Sequence, residues 1–180
     1  MNDKKEIRSF IKKLKLSISA QCKIDCAEMV FDQLFQMEEW HNAKNVLFYH
    51  SLPDELQTVK HLKLITDKNL FLPRVNGDTL DIVKYDADFL ELGYNHIFEP
   101  TSQQIVSPYS IDLIIVPGVA FDSFGNRLGR GKGFYDRLLA NTHAVKIGIG
   151  YDFQLLPSIP CDYHDIKMDI IITPNNLIKL

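Results

Sequence analysis

Between Asp112 and Pro117 the chain reads DLIIVP, and Leu113 to Val116 pass without a polar interruption. A strand with one solvated face alternates apolar and polar side chains, so an unbroken aliphatic run predicts a central strand covered on both faces. That suits a parallel sheet with helices on either side. NVLFYH (45–50), NLFLPRV (69–75), LDIVKYD (80–86), DLIIVPGVAF (112–121), VKIGIGYDF (145–153) and DIIITP (169–174) are short and rich in β-branched and aromatic residues, as strands are. Ile7, Phe10, Ile11, Leu14 and Ile18 recur at helical spacing and predict an amphipathic first helix with a basic polar face. A second helix starts after Ser19 as N-cap and runs to about Met37, with Ala27, Val30, Phe31, Leu34 and Phe35 inward. In ELQTVKHLKLITDK, Leu56, Val59, Leu62 and Ile65 keep helical spacing between the first two strands, which makes a parallel crossover unit. The predicted architecture is a three-layer α/β/α sandwich with a mostly parallel central sheet, Rossmann-like.

A length of 180 residues and the absence of repeats, low-complexity tracts or long linkers predict one domain over residues 1–180. No segment approaches the roughly eighteen uninterrupted apolar residues of a membrane span. The start, MNDKKEIRSFIKKLKLS, is basic and periodic rather than an apolar signal core, so the expected compartment is the cytoplasm. A net charge of −3 gives no global attraction to nucleic acid, and any anion site must be a local concentration of cations. Three cysteines are too few for a disulfide framework or a tetrahedral metal cage; Cys22 and Cys26, four apart on a helix, read as packed thiols rather than a zinc site. His41, His61, His96 and His143 show no ligand spacing. With one face of each element buried, no long apolar stripe remains, and a monomer is expected.

The local concentration of cations is GNRLGRGKGFYDRLL, Gly125 to Leu139, which holds Arg127, Arg130, Lys132 and Arg137. In open α/β sheets the ligand crevice lies at the carboxyl ends of strands, where loops lead into helices, and this segment occupies such a loop. Gly129, Gly131 and Gly133 alternate with Arg130 and Lys132, so backbone amides can turn inward on an anion while the cations surround it. The following helix, GFYDRLLANT, adds its positive dipole end, and phosphate is the natural guest. It is neither a Walker A loop, because Gly133 follows Lys132 where Ser or Thr is needed, nor a dinucleotide fingerprint, because the spacing is Gly-x-Gly-x-Gly. A flexible turn with solvated charges remains the plain alternative. Asp136 fits either a carboxylate that holds phosphate-bound Mg²⁺ or first-turn stabilisation of the helix dipole.

Taken with its approach, VPGVAFDSFGNRLGRGKGFYDRLL resembles the characteristic motif of 5-formyltetrahydrofolate cyclo-ligases, and the resemblance extends over most of the chain through KKEIR, YHSLPDELQT, LPRV and YHDIKMDIIIT. The resemblance implies an ATP-dependent ligase that converts 5-formyltetrahydrofolate to 5,10-methenyltetrahydrofolate. It implies ATP contacts from Lys4, Arg8, Arg127, Leu128, Gly129, Arg130, Gly131, Lys132, Gly133, Phe134 and Tyr135, with Arg130 and Lys132 catalytic. It further implies pterin recognition by Glu55, a substrate-pocket position for His50 and Phe134, and Mg²⁺ held by Asp136 and Asp169. Phe134 stands where many members carry Tyr. His164 and Asp165 share the carboxyl-terminal pattern with Asp169. Two other readings compete: a sugar-phosphate isomerase using the loop for a single phosphate without a metal, and a non-catalytic nucleotide-binding module without a folate site. Without the resemblance, Lys4 and Arg8 read as a solvated helix face, Asp169 as a turn residue, and Arg74 as either an anion ligand or a surface ion-pair partner.

Overall fold

A computed structural model describes residues 3–93 and 97–180; His96 lies outside the described residues. The chain runs α1 (Lys4–Leu16), α2 (Ala20–Phe35), α3 (Glu38–Asn42), β1 (Asn45–Leu47), α4 (Val59–Leu64), β2 (Asn69–Asn76), β3 (Thr79–Lys84), β4 (Leu90–Leu92), β5 (Phe98–Pro100), β6 (Ile105–Val106), β7 (Leu113–Pro117), β8 (Ala120–Asp122), β9 (Arg127–Leu128), α5 (Phe134–Leu139), β10 (Val145–Ile149), β11 (Leu155–Leu156), β12 (Ile170–Thr173) and β13 (Asn176–Lys179). The main sheet has the order β13-β12-β10-β7-β1-β2-β3-β6. Its centre, β12-β10-β7-β1-β2, is parallel, and antiparallel strands close both sides.

The aliphatic run in β7 is buried on both faces for the reason its pattern dictates. Leu113 and Ile115 pack with α2, α3 and α4 on one face, whereas Ile114 and Val116 pack with Leu138 and Leu139 of α5 on the other. Successive strand side chains point to opposite faces, so both layers of helices are required. Helix α1 packs outside this sandwich, its fully buried Ile7 and Ile11 set against Ala120 and Leu128 of a small β11-β8-β9 sheet. Phe10, expected inward, is 39% exposed.

Several boundaries differ from the sequence reading. Residues 112–121 form two strands rather than one, because the chain leaves the main sheet after Pro117 and Val119 N–H donates to Leu128 across the small sheet. A Cβ at Gly118 would overlap the Phe121 ring, which is why glycine marks the break. The crossover helix is limited to Val59–Leu64 because its predecessor, residues 51–58, is fixed as a loop by side chain to backbone bonds. Ser19 caps α2 as expected, its Oγ accepting from Cys22 N–H. Cys22 is exposed rather than packed, with its Sγ 3.8 Å from that of half-buried Cys26. Among the described residues no helix is long and apolar enough to cross a membrane.

Candidate active site

A cleft of about 640 Å³ opens at the carboxyl ends of β1 and β7, lined by the Gly129–Gly133 loop, the residues after β1, α1, and the segments around Phe98 and His164. The loop is held open by its backbone. Gly131 and Gly133 have φ of 97° and 69°, and Gly133 in this left-handed conformation starts α5. Side chains pin both ends: Arg8 Nε donates to Gly129 O at 2.9 Å, and Arg137 Nη2 donates to Lys132 O at 3.0 Å. At the base, buried Asp122 accepts from Phe124 N–H, Asn126 N–H and Ile159 N–H, organising the β8–β9 turn that delivers the loop. Lys132 lines the cleft and has no ion pair among the described residues. Tyr135 also lines it; burial, then the Glu55 charge, pushes its hydroxyl well above the usual range, so it stays a neutral donor.

The opposite wall comes from SLPDELQT. Ser51 and Thr58 exchange side chain to backbone bonds, Thr58 Oγ1 donates to Tyr49 O at 2.6 Å, and Tyr151 Oη donates to Glu55 O at 3.0 Å. The loop therefore presents Glu55 rigidly. Its Oε2 accepts from Leu52 N–H and its Oε1 from Arg130, at 3.2 Å from Nε and 3.0 Å from Nη2. His50 lies beside the Phe98 ring at 5.3 Å; burial and then the Lys63 charge lower its pKa, so the imidazole is neutral near pH 7. Arg74, by contrast, is absorbed by structure, donating to Pro100 O and Ser102 O and facing Asp81 at 3.6 Å.

Of the residues expected from sequence, Lys4, Arg8, His50, Glu55, Asp136 and every residue from Arg127 to Tyr135 line this one cleft. Arg127 does so from a buried position, its Nη2 paired with Asp136 at 2.8 Å and its Nε without a hydrogen-bond partner among the described residues. Asp169 requires a correction. It stands at the amino end of β12, where its carboxylate accepts from Lys146 N–H and pairs with Lys146 Nζ at 2.7 Å. The cleft is at the carboxyl ends of these parallel strands, so Asp169 and Asp136 occupy opposite ends of the sheet. The acidic groups that face the cleft from the same segment are Asp162 and Asp165. Lys4 Nζ lies 2.6 Å from Asp165 and 2.7 Å from Asp162, and ligand atoms of Asp162, His164 and Asp165 fall within 4.8 Å of one another. Burial raises the Asp165 pKa, but Lys4 and the Asp162 amide more than offset it, leaving the carboxyl below its ordinary value. Asp162 and the pair Lys15 and Asp54, which stand behind Arg130, had no distinguishing sequence signal.

Comparison with known proteins adds three findings. A model of the 5-formyltetrahydrofolate cyclo-ligase family matches residues 1–174. The 5-formyltetrahydrofolate cyclo-ligase of Haemophilus influenzae is 30% identical, covering 96% of this chain and 100% of its own length; that of Mus musculus is 28% identical, with coverage of 94% and 92%. The NMR structure of Aquifex aeolicus 5,10-methenyltetrahydrofolate synthetase superposes with a TM-score of 0.90 at 32% identity, covering 98% of this chain and 92% of that one.

Proposed function

The chain belongs to the 5-formyltetrahydrofolate cyclo-ligase family, and on that premise we propose that it converts 5-formyltetrahydrofolate and ATP to 5,10-methenyltetrahydrofolate, ADP and phosphate. The observation that carries this reading is the convergence of two unlike recognition surfaces on one cleft: a cationic glycine loop and a nearly buried carboxylate, Glu55. The loop suits a triphosphate. A carboxylate able to accept paired hydrogen bonds suits the aminopyrimidinone edge of a pterin.

The formyl group on N5 is an amide, and its oxygen leaves poorly until it is phosphorylated. Its attack on the γ-phosphorus breaks the bond to ADP and leaves a phosphorylated imidate at the formyl carbon. N10 then bonds to that carbon, loses its proton, and phosphate departs with the former formyl oxygen, closing the five-membered ring. No covalent bond to the protein is needed, and the protein's work is alignment and stabilisation of spreading negative charge. Lys132 and Arg130 supply charge to the transferring phosphoryl group, and the Gly129–Gly133 amides and Arg8 hold the loop around the triphosphate. His50 and Phe134 face the folate.

The donor chemistry fits Mg²⁺, which takes hard oxygen ligands from one or two carboxylates together with phosphate oxygens. Asp136 and Asp165 would hold it, in place of Asp136 and Asp169. The ion, when bound, neutralises charge on the phosphate oxygens. Lys4 pairs with Asp165 and Arg127 with Asp136.

The test is the rise in methenyl absorbance when purified protein receives 5-formyltetrahydrofolate, ATP and Mg²⁺, each omitted in turn. A rise that needs all three is expected. A folded protein that binds ATP without any rise would instead be a non-catalytic nucleotide module. Lys132→Ala should lower turnover by about 10²-fold or more with the fold intact, and a near-normal rate would remove Lys132 from the catalytic set.

A further inference from the structure

Across the cleft the two groups assigned to different substrates occupy each other. The Arg130 guanidinium, assigned to phosphate, donates to Glu55, assigned to the pterin, at 3.0 and 3.2 Å. The same Nη2 also reaches both oxygens of Asp54, at 2.7 and 3.0 Å. Behind Asp54 lies Lys15, whose side chain is only 5% exposed and whose ammonium is 3.3 Å from Asp54 Oδ2. A cation buried to that extent needs a carboxylate partner, and among the described residues Asp54 is the one it pairs with. Three segments that are distant in sequence, the end of α1, the loop after β1 and the glycine loop, are thus joined through one chain of charges.

We propose that Asp54 and Lys15 are positioning residues that set how firmly Arg130 is latched onto Glu55, and that release of this latch couples ATP binding to folate binding. The inference rests on the functional reading above. ATP arriving alone draws Arg130 away and leaves the nearly buried Glu55 carboxylate without its cation. Folate arriving alone displaces Arg130 from Glu55 and leaves it facing a site without phosphate. When both arrive, the unpairing is shared and each exposed charge finds a ligand, so each substrate tightens the other. Lys15 is the cation that remains with Asp54 after Arg130 departs. It competes with Arg130 for that carboxylate, which makes the latch releasable.

The two residues therefore have opposite effects. Asp54→Asn removes one hold on Arg130, so each ligand alone should bind more tightly and the coupling should shrink. Lys15→Met leaves Asp54 with Arg130 as its only cation, so each ligand alone should bind less tightly and the coupling should grow. Lys15→Arg should restore the native values. Damage to folding would weaken binding in both variants alike, so opposite signs separate positioning from structure.

The measurement is titration calorimetry on the full chain with 5-formyltetrahydrofolate and the Mg²⁺ complex of a non-hydrolysable ATP analogue, each alone and each with the other saturating. In the unmodified protein the affinity of each should rise by about 5-fold or more in the presence of the other, by the same factor in either order. Should Asp54→Asn prove too unstable because Lys15 loses its partner, the Asp54→Asn/Lys15→Met double variant removes both charges and must also show reduced coupling. Binding of both ligands with independent affinities overturns the latch while leaving the function standing. So does coupling that is unchanged in the Asp54 variants, since it would then come from contact between the bound ligands. Failure of 5-formyltetrahydrofolate to bind overturns the functional reading and the latch together.

Discussion

Two aspartates four residues apart carry opposite fates. Asp165 faces the cleft beside Lys4, while Asp169 tethers Lys146 at the far end of the sheet. In the proposed enzyme Asp165→Asn should raise the Mg²⁺ concentration needed for half-maximal rate; even outer-shell changes at metal sites cost about 10- to 100-fold in affinity, and a ligand should cost no less. Asp169→Asn should leave that requirement unchanged and lower only stability. A magnesium titration of both variants decides between them, and the reverse pattern would restore Asp169 to the metal. Sequence could show that acidic residues recur in HDIKMD, but not which one turns inward. That depends on where β12 begins, a fact of strand register rather than of residue type.

At the scale of elements, the glycine loop was legible because its conformations exclude most side chains. Gly133 sits at φ 69°, and a Cβ there would press on the Arg137 guanidinium, a flexible group that can give way. The remaining cost is backbone strain of about 1–2 kcal/mol, so Gly133→Ala should lose roughly that much unfolding free energy in urea, with a smaller loss for Gly133→Asn. Equal stability of the alanine variant would mean that the loop is not held left-handed. Helix α1 was equally legible from its periodicity, but its destination was not. Its buried Ile7 and Ile11 seat against the small sheet, and from there the helix delivers Lys4 and Arg8 to the cleft and Lys15 to Asp54 behind it. Ile11→Ala should cost about 2–5 kcal/mol and loosen that delivery, giving a raised KM for ATP together with a lowered Tm.

For the whole molecule, stability should depend on pH through a group outside the cleft. His61 of α4 is buried, stacked on Phe31 at 3.8 Å between ring centroids, with its Nδ1 unpartnered among the described residues. Burial lowers its pKa below the ordinary 6.5, and the nearby Glu28 carboxylate only partly opposes this. A histidine held neutral by folding binds fewer protons than the unfolded chain does just below pH 6.5. Its contribution is therefore complete above that pH and is lost as pH falls towards the folded value. His61→Leu should flatten the decline in Tm between pH 7 and pH 5; an unaltered slope would assign the acid sensitivity elsewhere.

The sequence alone determined the sandwich and the glycine loop, because both follow from local chemistry. Leu113 to Val116, apolar at every position, suit burial between two helical layers, and Gly131 and Gly133 take the positive φ that lets the loop turn sharply. Tertiary structure decided what faces the loop. Arg130 meets Asp54 and Glu55 across about 75 residues of chain, and Lys4 meets Asp165 across about 160, as the order of strands dictates. Charge pairing over such separations leaves no periodicity in a sequence, since its energy depends on distance in space and on the water excluded between the partners.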